Sequence, residues 1–224
     1  MKIDILTLFP ETVNTVLGES IIGNGQKNGF LEINCHQIRD YTKNKQKQVD
    51  DYPYGGGMGM VMQADPLYQC LQALLKGANK PTVILMSPRG SVFNQQKAIE
   101  LSKLEHLVLV CGHYEGVDQR FIDECVDFEM SIGDYVLTGG EIAAMAVCDS
   151  VCRLVPGVLA DEECFIEESH YNGLLEYPHY SRPETWHDKK VPEILLSGHH
   201  ENIRKWRREQ SVLITLQNRN ELIK

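Results

Sequence analysis

Leu107-Val108-Leu109-Val110-Cys111-Gly112-His113-Tyr114-Glu115-Gly116 joins an unbroken apolar run to a glycine-bearing loop, and its reading decides the fold class. The same arrangement recurs on both sides. Thr82 to Met86 precedes Ser87-Pro88-Arg89-Gly90, and Val126 to Ser131 precedes Ile132-Gly133-Asp134-Tyr135-Val136-Leu137-Thr138-Gly139-Gly140-Glu141. Helical segments near Asn94 to Lys103 and Asp118 to Glu124 separate these apolar runs. Strands alternating with helices predict an α/β fold, a mostly parallel sheet with helices on both faces. In an open sheet of this kind, ligands bind outside the carboxyl ends of the strands. Three loops carrying glycine at three such ends therefore point to one shared pocket, since glycine lets the backbone approach a ligand closely.

Upstream, Lys2 to Phe9 and Leu31 to Ile38 read as two more strands. Asp65-Pro66 reads as an N-cap with proline at the first helical position, opening a helix to about Lys76. Downstream of Pro156-Gly157 the composition shifts. Asp161 to Ser169 is acidic and weakly periodic, the pattern of a linker. Pro178, Pro183 and Pro192 then interrupt an irregular stretch. From about His199 the pattern is helical, with Ile203, Trp206, Leu213 and Leu216 as apolar anchors. The expected organisation is a ligand-binding α/β domain over 1–160, a flexible linker over 161–170 and a small, mainly helical domain over 171–224.

Composition excludes several classes. With 42% hydrophobic and 24% charged residues, the 224-residue chain has a globular balance, and no apolar run reaches the roughly 18 residues of a membrane span. Met1 to Pro10 places a charge inside its apolar stretch and lacks a cleavage site, so a cytoplasmic location is expected. The seven cysteines are odd in number and unpaired in spacing. Cys148 and Cys152, four apart, read as packed helix neighbours, so reduced thiols and no structural metal are expected. A net charge of −9 argues against indiscriminate nucleic-acid binding, although it leaves room for local basic patches. Lys43, Lys45 and Lys47 form one candidate, and the cations around Trp206 form another.

Tyr54-Gly55-Gly56-Gly57-Met58-Gly59-Met60 is the densest glycine run. No Gly-Lys-Ser/Thr follows, so it is not a P-loop, and no strong strand precedes it as a dinucleotide fingerprint requires. Its composition suits a lid or a close backbone approach to a flat ligand. Together with this run, Cys111 to Asp118, Ser131 to Glu141, Asp149 to Leu159, Gly173 to Pro183 and Val191 to His199 resemble, in order, the signatures of the bacterial tRNA (guanine-N1)-methyltransferase family, TrmD. The similarity runs in register from Met1 to about residue 210.

The resemblance implies a SPOUT-type domain with a trefoil knot, a homodimer with the active site between subunits, and methylation of N1 of guanosine 37 in tRNA. The donor would be S-adenosylmethionine, held by Gly112 and by Ile132, Gly133, Asp134, Tyr135, Val136 and Leu137. Ser87, Pro88, Tyr114, Glu115, Gly139 and Gly140 would surround it. Magnesium dependence is implied as well, with Glu115 and Glu168 open to involvement and no ligands assigned. Arg153 falls on the family's arginine, at the end of the helix opening near Glu141. Glu168 falls where the family has an aspartate, and this is a departure from the pattern. Either the pocket has shifted to suit the longer side chain, or Glu167 or Asp161 does the work, or activity is low. Arg182, Lys189, Lys190, Arg204, Arg207 and Arg208 are the candidates for the phosphate side of tRNA.

Three rival readings remain at this stage. They are a similar methyltransferase acting at another RNA position, a catalytically weak RNA-binding relative, and a dinucleotide-dependent oxidoreductase. The last lacks a ribose-binding acid about 20 residues after the first turn.

Overall fold

The structure, a computed structural model, describes residues 1–75, 80–161 and 163–223. The chain forms two units, Met1–Ala160 and Asp161–Lys224. In the first unit the order is β1 (Lys2–Thr7), α1 (Pro10–Leu17), α2 (Ser20–Lys27), β2 (Glu32–Gln37), β3 (Asp50–Asp51), β4 (Val61–Met62), α3 (Ala64–Leu74) and β5 (Thr82–Val92). There follow α4 (Gln95–Leu101), β6 (His106–Cys111), α5 (Gln119–Cys125), β7 (Phe128–Ser131) and α6 (Glu141–Cys152). Five strands make one sheet in the order β2-β1-β6-β5-β7, and every pairing in it is parallel. β3 and β4 form a separate antiparallel pair.

Alternating side chains give this sheet two apolar faces. Leu6, Leu8, Val83, Leu85, Val108 and Val110 pack with Leu67, Cys70 and Leu71 of α3 and Phe121 and Ile122 of α5. The intervening Ile3, Ile5, Ile84, Leu107 and Leu109 are also buried, and α6 contacts α1, α4 and β6 while α1 contacts β2. Each such side chain contributes about 1.5–3 kcal/mol by leaving water. That explains why β6 reads as an unbroken apolar run instead of an alternating one.

One buried charge interrupts the first face. The Asp4 side chain is 1% exposed and accepts hydrogen bonds of 2.7 Å from both His36 Nε2 and His106 Nε2, with Lys2 Nζ at 3.4 Å. Burial alone would raise its pKa. The two histidine hydrogen bonds and the charges of His36 and Lys2 outweigh burial and hold it at about 2.

Several sequence expectations need correction. β5 does not stop at Met86 but continues to Val92, with an interruption in its pairing to β7. Met86 and Ser91 both lie opposite Met130, so Ser87–Gly90 bulges out of the ladder. Pro88 has no N–H to offer a ladder, and a Cβ on Gly90 would lie 2.3 Å from the backbone of Glu129 and Met130. Helix α3 starts at Ala64 with Gln63 as its cap residue, so Asp65 and Pro66 sit inside the first turn. Proline is tolerated there because first-turn N–H groups have no helical partner. Lys76, the expected end of that helix, lies outside the described residues.

Unit 2 contains α7 (Glu163–Ile166), β8 (Thr185–Trp186), β9 (Lys189–Lys190), α8 (Glu193–Leu196) and α9 (His200–Asn218). Within the acidic stretch read as a linker, α7 supplies a helical turn, and the Phe165 ring packs against Tyr171 with centroids 5.3 Å apart and planes tilted by 48°. On α9 the anchors differ from the expectation. Leu213 and Leu216 are about half exposed, whereas Ser211 and Thr215 are buried. Thr215 Oγ1 accepts from the Leu175 N–H at 2.8 Å and donates to the Ser211 carbonyl at 2.6 Å. The helix therefore presents a polar stripe that satisfies an incoming loop backbone. Among the described residues no helix is long and apolar enough to cross a membrane.

Candidate functional site

Between the bulge of β5 and the carboxyl ends of β6 and β7 lies a cleft of about 360 Å³, within the usual range for small-molecule sites. Ser87 and Pro88 of the β5 bulge, Gly112, Tyr114 and Glu115 after β6, and Ile132, Tyr135, Val136, Leu137, Gly139 and Gly140 after β7 all line it. Three segments read separately in the sequence thus converge on one cavity. Gly133 and Asp134 do not line it. Gly133 instead makes the turn, its N–H donating to Ser131 Oγ while that hydroxyl donates to the Gly133 carbonyl. Val117 and, outside every quoted motif, Leu85, Met86, Ile122, Met130 and Ala143 add an apolar floor.

Two of the lining segments are bound to each other. His113 and Gly139 form an antiparallel bridge, and the Gly140 N–H donates to the Gly112 carbonyl at 2.9 Å. The pairing is tight: a Cβ on Gly139 would lie 2.2 Å from the His113 ring and 2.7 Å from a Glu141 carboxylate oxygen. Glu141, 7% exposed at the first position of α6, accepts from Thr7 Oγ1 at 2.6 Å and from His113 Nε2 at 2.7 Å. The carboxylate so ties the end of β1 and the loop after β6 to the amino end of α6, where a helix dipole favours negative charge. Sequence reasoning quoted His113 and Glu141 inside motifs but assigned them no role and did not consider Thr7. An acid at the first turn of the helix was the available signal.

The glycine run is stitched to the same region. The Glu115 N–H donates to the Met60 carbonyl and the Met62 N–H to the Gly116 carbonyl, both at 2.9 Å, while Tyr54 and Met58 are exposed. Arg153 caps the carboxyl end of α6, with its N–H donating to the Asp149 carbonyl at 3.2 Å. It belongs to the first unit and Glu168 to the second, where Glu168 is half-buried in the turn after α7. Glu167 lies 3.9 Å from Arg207 and accepts from the Tyr177 hydroxyl at 3.3 Å. Asp161 is exposed, at the start of the second unit.

Unit 2 has its own open groove of about 1260 Å³, lined among others by Tyr177, His179, Tyr180, Arg182, Arg204 and Arg207. Arg207 lies over the Tyr177 ring at 4.7 Å, a cation–π geometry. Lys189, Lys190 and Arg208 are exposed and do not line this groove. In the first unit, Lys43 and Lys47 pair with Asp65 and Asp40, a solvated surface arrangement. All seven cysteines are free thiols. Burial raises Cys111 and Cys148 well above the ordinary thiol range and Cys70 and Cys152 to about 12, which suits reduced core residues. Among the described residues no three His, Cys, Asp or Glu side chains gather as a metal site.

A parallel open sheet with a cleft for a small molecule at its carboxyl ends places the first unit among ligand-binding α/β enzymes. Comparison with known proteins sharpens this. The profile described as tRNA (Guanine-1)-methyltransferase TrmD matches residues 1–224, and the chain belongs to that family. It is 59% identical to the tRNA (guanine-N(1)-)-methyltransferase of Ruminiclostridium cellulolyticum, over 99% of this chain and 96% of the relative. The protein of the same name from Clostridium perfringens is 59% identical over 99% of this chain and 93% of its own length. That from Clostridium tetani is 53% identical over 100% and 92%.

Proposed function

We propose that this chain transfers a methyl group from S-adenosylmethionine to N1 of guanosine 37 in tRNA. The observation that carries the reading is the convergence of the β5 bulge and the segments after β6 and β7 on one cleft, in a chain belonging to the TrmD family along its whole length. The cleft fits the donor in size, with an apolar floor and walls of closely approaching backbone. Gly112, Ile132, Tyr135, Val136, Leu137, Gly139 and Gly140 would hold it, with Ser87, Pro88, Tyr114 and Glu115 around them. Gly133 and Asp134 would shape the turn that presents Tyr135. When bound, this donor supplies a methyl group already activated as a sulfonium.

The remaining work falls to the chain's own residues. N1 of guanine carries a proton and is a poor nucleophile until that proton leaves. Glu168 accepts it as general base. Electron density then moves toward O6, where the Arg153 guanidinium stabilises the developing negative charge. The methyl would pass to N1 as its bond to sulfur breaks, the sulfur keeping that electron pair in a neutral thioether that leaves, with the proton on Glu168. In this reading the second unit binds tRNA, using Arg182, Arg204 and Arg207 of the groove with Lys189, Lys190 and Arg208 outside it. The family resemblance also supports a trefoil-knotted backbone, a homodimer with the site between subunits, a cytoplasmic location and magnesium dependence. Among the described residues no three His, Cys, Asp or Glu side chains gather as a cage for a hard cation.

Single-turnover transfer of labelled methyl from S-adenosylmethionine tests the reaction. The substrates are a tRNA transcript with guanosine at 36 and 37 and a control lacking guanosine 37, with magnesium in both. Label on the first transcript alone is the expected result. Label on neither, with donor binding intact, refutes the reading and favours a binding protein that has lost turnover.

A further inference from the structure

The hairpin formed by β8 and β9 lies outside the cleft, and the proposed chemistry does not use its tip. All four of its strand residues, Thr185, Trp186, Lys189 and Lys190, are exposed. Trp186 is 62% exposed although it carries a large apolar surface. Its ring stacks on His187 with centroids 4.2 Å apart and planes 29° from parallel, so the imidazole backs one face of the indole. The two turn residues, His187 and Asp188, both have positive φ, 46° and 61°. A two-residue turn of this kind favours asparagine and glycine. Here the turn instead spends its first position on a second aromatic ring. Trp186 is the direct cross-strand partner of Lys189, so those two side chains share a face of the hairpin.

We propose that this hairpin is a stacking finger for an unpaired nucleotide of the RNA substrate. Trp186, backed by His187, takes the base, and Lys189 takes the adjoining phosphate. The inference rests on the tRNA reading and adds a contact to it. Aromatic faces bearing a neighbouring cation suit single-stranded RNA, because every base has a π-face and every linkage a negative charge. The local charge balance identifies the main interaction. Glu184 and Asp188 offset Lys189 and Lys190, so stacking contributes more to binding here than net charge does.

The test uses the full chain and an anticodon stem-loop RNA as probe. Trp186 and Trp206 are the two tryptophans, so Trp206→Phe leaves Trp186 as the sole indole reporter. Saturable quenching of its emission by the RNA is expected. If Trp206→Phe does not fold, the difference between the parent and Trp186→Phe gives the same signal. Trp186→Ala should weaken RNA affinity by about 5- to 150-fold, the range for losing one stacked base, and raise KM for tRNA more than it lowers kcat. Trp186→Phe should retain most of the affinity. Lys189→Ala should flatten the slope of log affinity against log salt by about 0.7.

RNA affinity of Trp186→Ala within twofold of the parent, with unchanged circular dichroism, overturns the proposal. So does a Trp186 emission shift that follows protein concentration and not RNA, which would assign the face to a second copy of the chain. Absence of methyl transfer by the parent would refute the functional reading instead. The fluorescence titration decides the finger in either case.

Discussion

Replacing Asp4 by asparagine tests whether the buried ion cluster at the centre of the sheet stabilises the fold. In the folded chain the carboxyl titrates at about 2 against 3.8 for the ordinary group. At roughly 1.4 kcal/mol per pKa step, that difference is worth about 2 kcal/mol at neutral pH. Asparagine keeps the shape but offers one accepting oxygen for two ring nitrogens, so one of His36 and His106 would face an amide N–H₂. The unsatisfied donor adds about 1–3 kcal/mol, giving a total loss of roughly 3–5 kcal/mol. For a chain of this length that corresponds to a fall in melting temperature of about 6–20 °C. Both tryptophans lie in unit 2, so unfolding of the sheet should be followed by far-ultraviolet circular dichroism.

The pH dependence has a definite sign. A depressed carboxyl contributes fully above the unfolded value, near pH 4, and its contribution is lost as pH falls toward 2. The gap between parent and Asp4→Asn should therefore narrow below about pH 4. Donor binding at 25 °C should be unchanged, because Asp4 lies within β1 and outside the residues that line the cleft. A variant within about 0.5 kcal/mol of the parent at pH 7 would refute the reasoning, as would a gap that stays constant down to pH 2.

Four further outcomes are expected. Glu168→Ala should lower the single-turnover rate by about 10²–10⁴-fold with little change in donor affinity, measured with labelled donor; an unchanged rate would move the base to Glu167 or Asp161. Gly139→Ala, whose methyl would collide with the His113 ring, should weaken S-adenosylmethionine binding at least tenfold by calorimetry while most of the secondary structure survives. Glu141→Gln keeps the size of the group but cannot accept from both Thr7 and His113 through equivalent oxygens. It should raise KM for the donor and lower stability by about 1–3 kcal/mol, read by paired kinetics and melts. Cys164 is the exposed cysteine among the seven, so mass spectrometry after brief alkylation at pH 7.5 should find one fast-reacting thiol per chain.

The sequence made the architecture of the first unit legible because its signals are local. The apolar run of β6, the helical segments opening near Asn94 and Asp118, and the helix ending at Arg153 all appear where they were expected. The three loops at strand ends were legible as a group for the same reason, since position after a parallel strand is itself a geometric statement. Errors fall where a long-range contact overrides the local signal. The Ser87–Gly90 segment reads as a terminal loop, yet β5 resumes beyond it because Ser91 and Val92 find Met130 and Ser131 on β7. Leu213 and Leu216 read as anchors, but the loop at Leu175 needs a hydroxyl partner and so turns Ser211 and Thr215 inward.

By itself the sequence determined the parallel α/β class, the family and the segments that meet at the cleft, because strand periodicity, turn chemistry and motif order are properties of neighbouring residues. Only the tertiary structure decided which side chains hold that cleft in shape. Thr7 and Glu141 are 134 positions apart and Asp4 and His106 are 102 apart, and no local pattern can register a hydrogen bond made across a folded sheet. The same holds for Gly139, where glycine is required not by its own turn but by the His113 ring, which a Cβ there would meet at 2.2 Å.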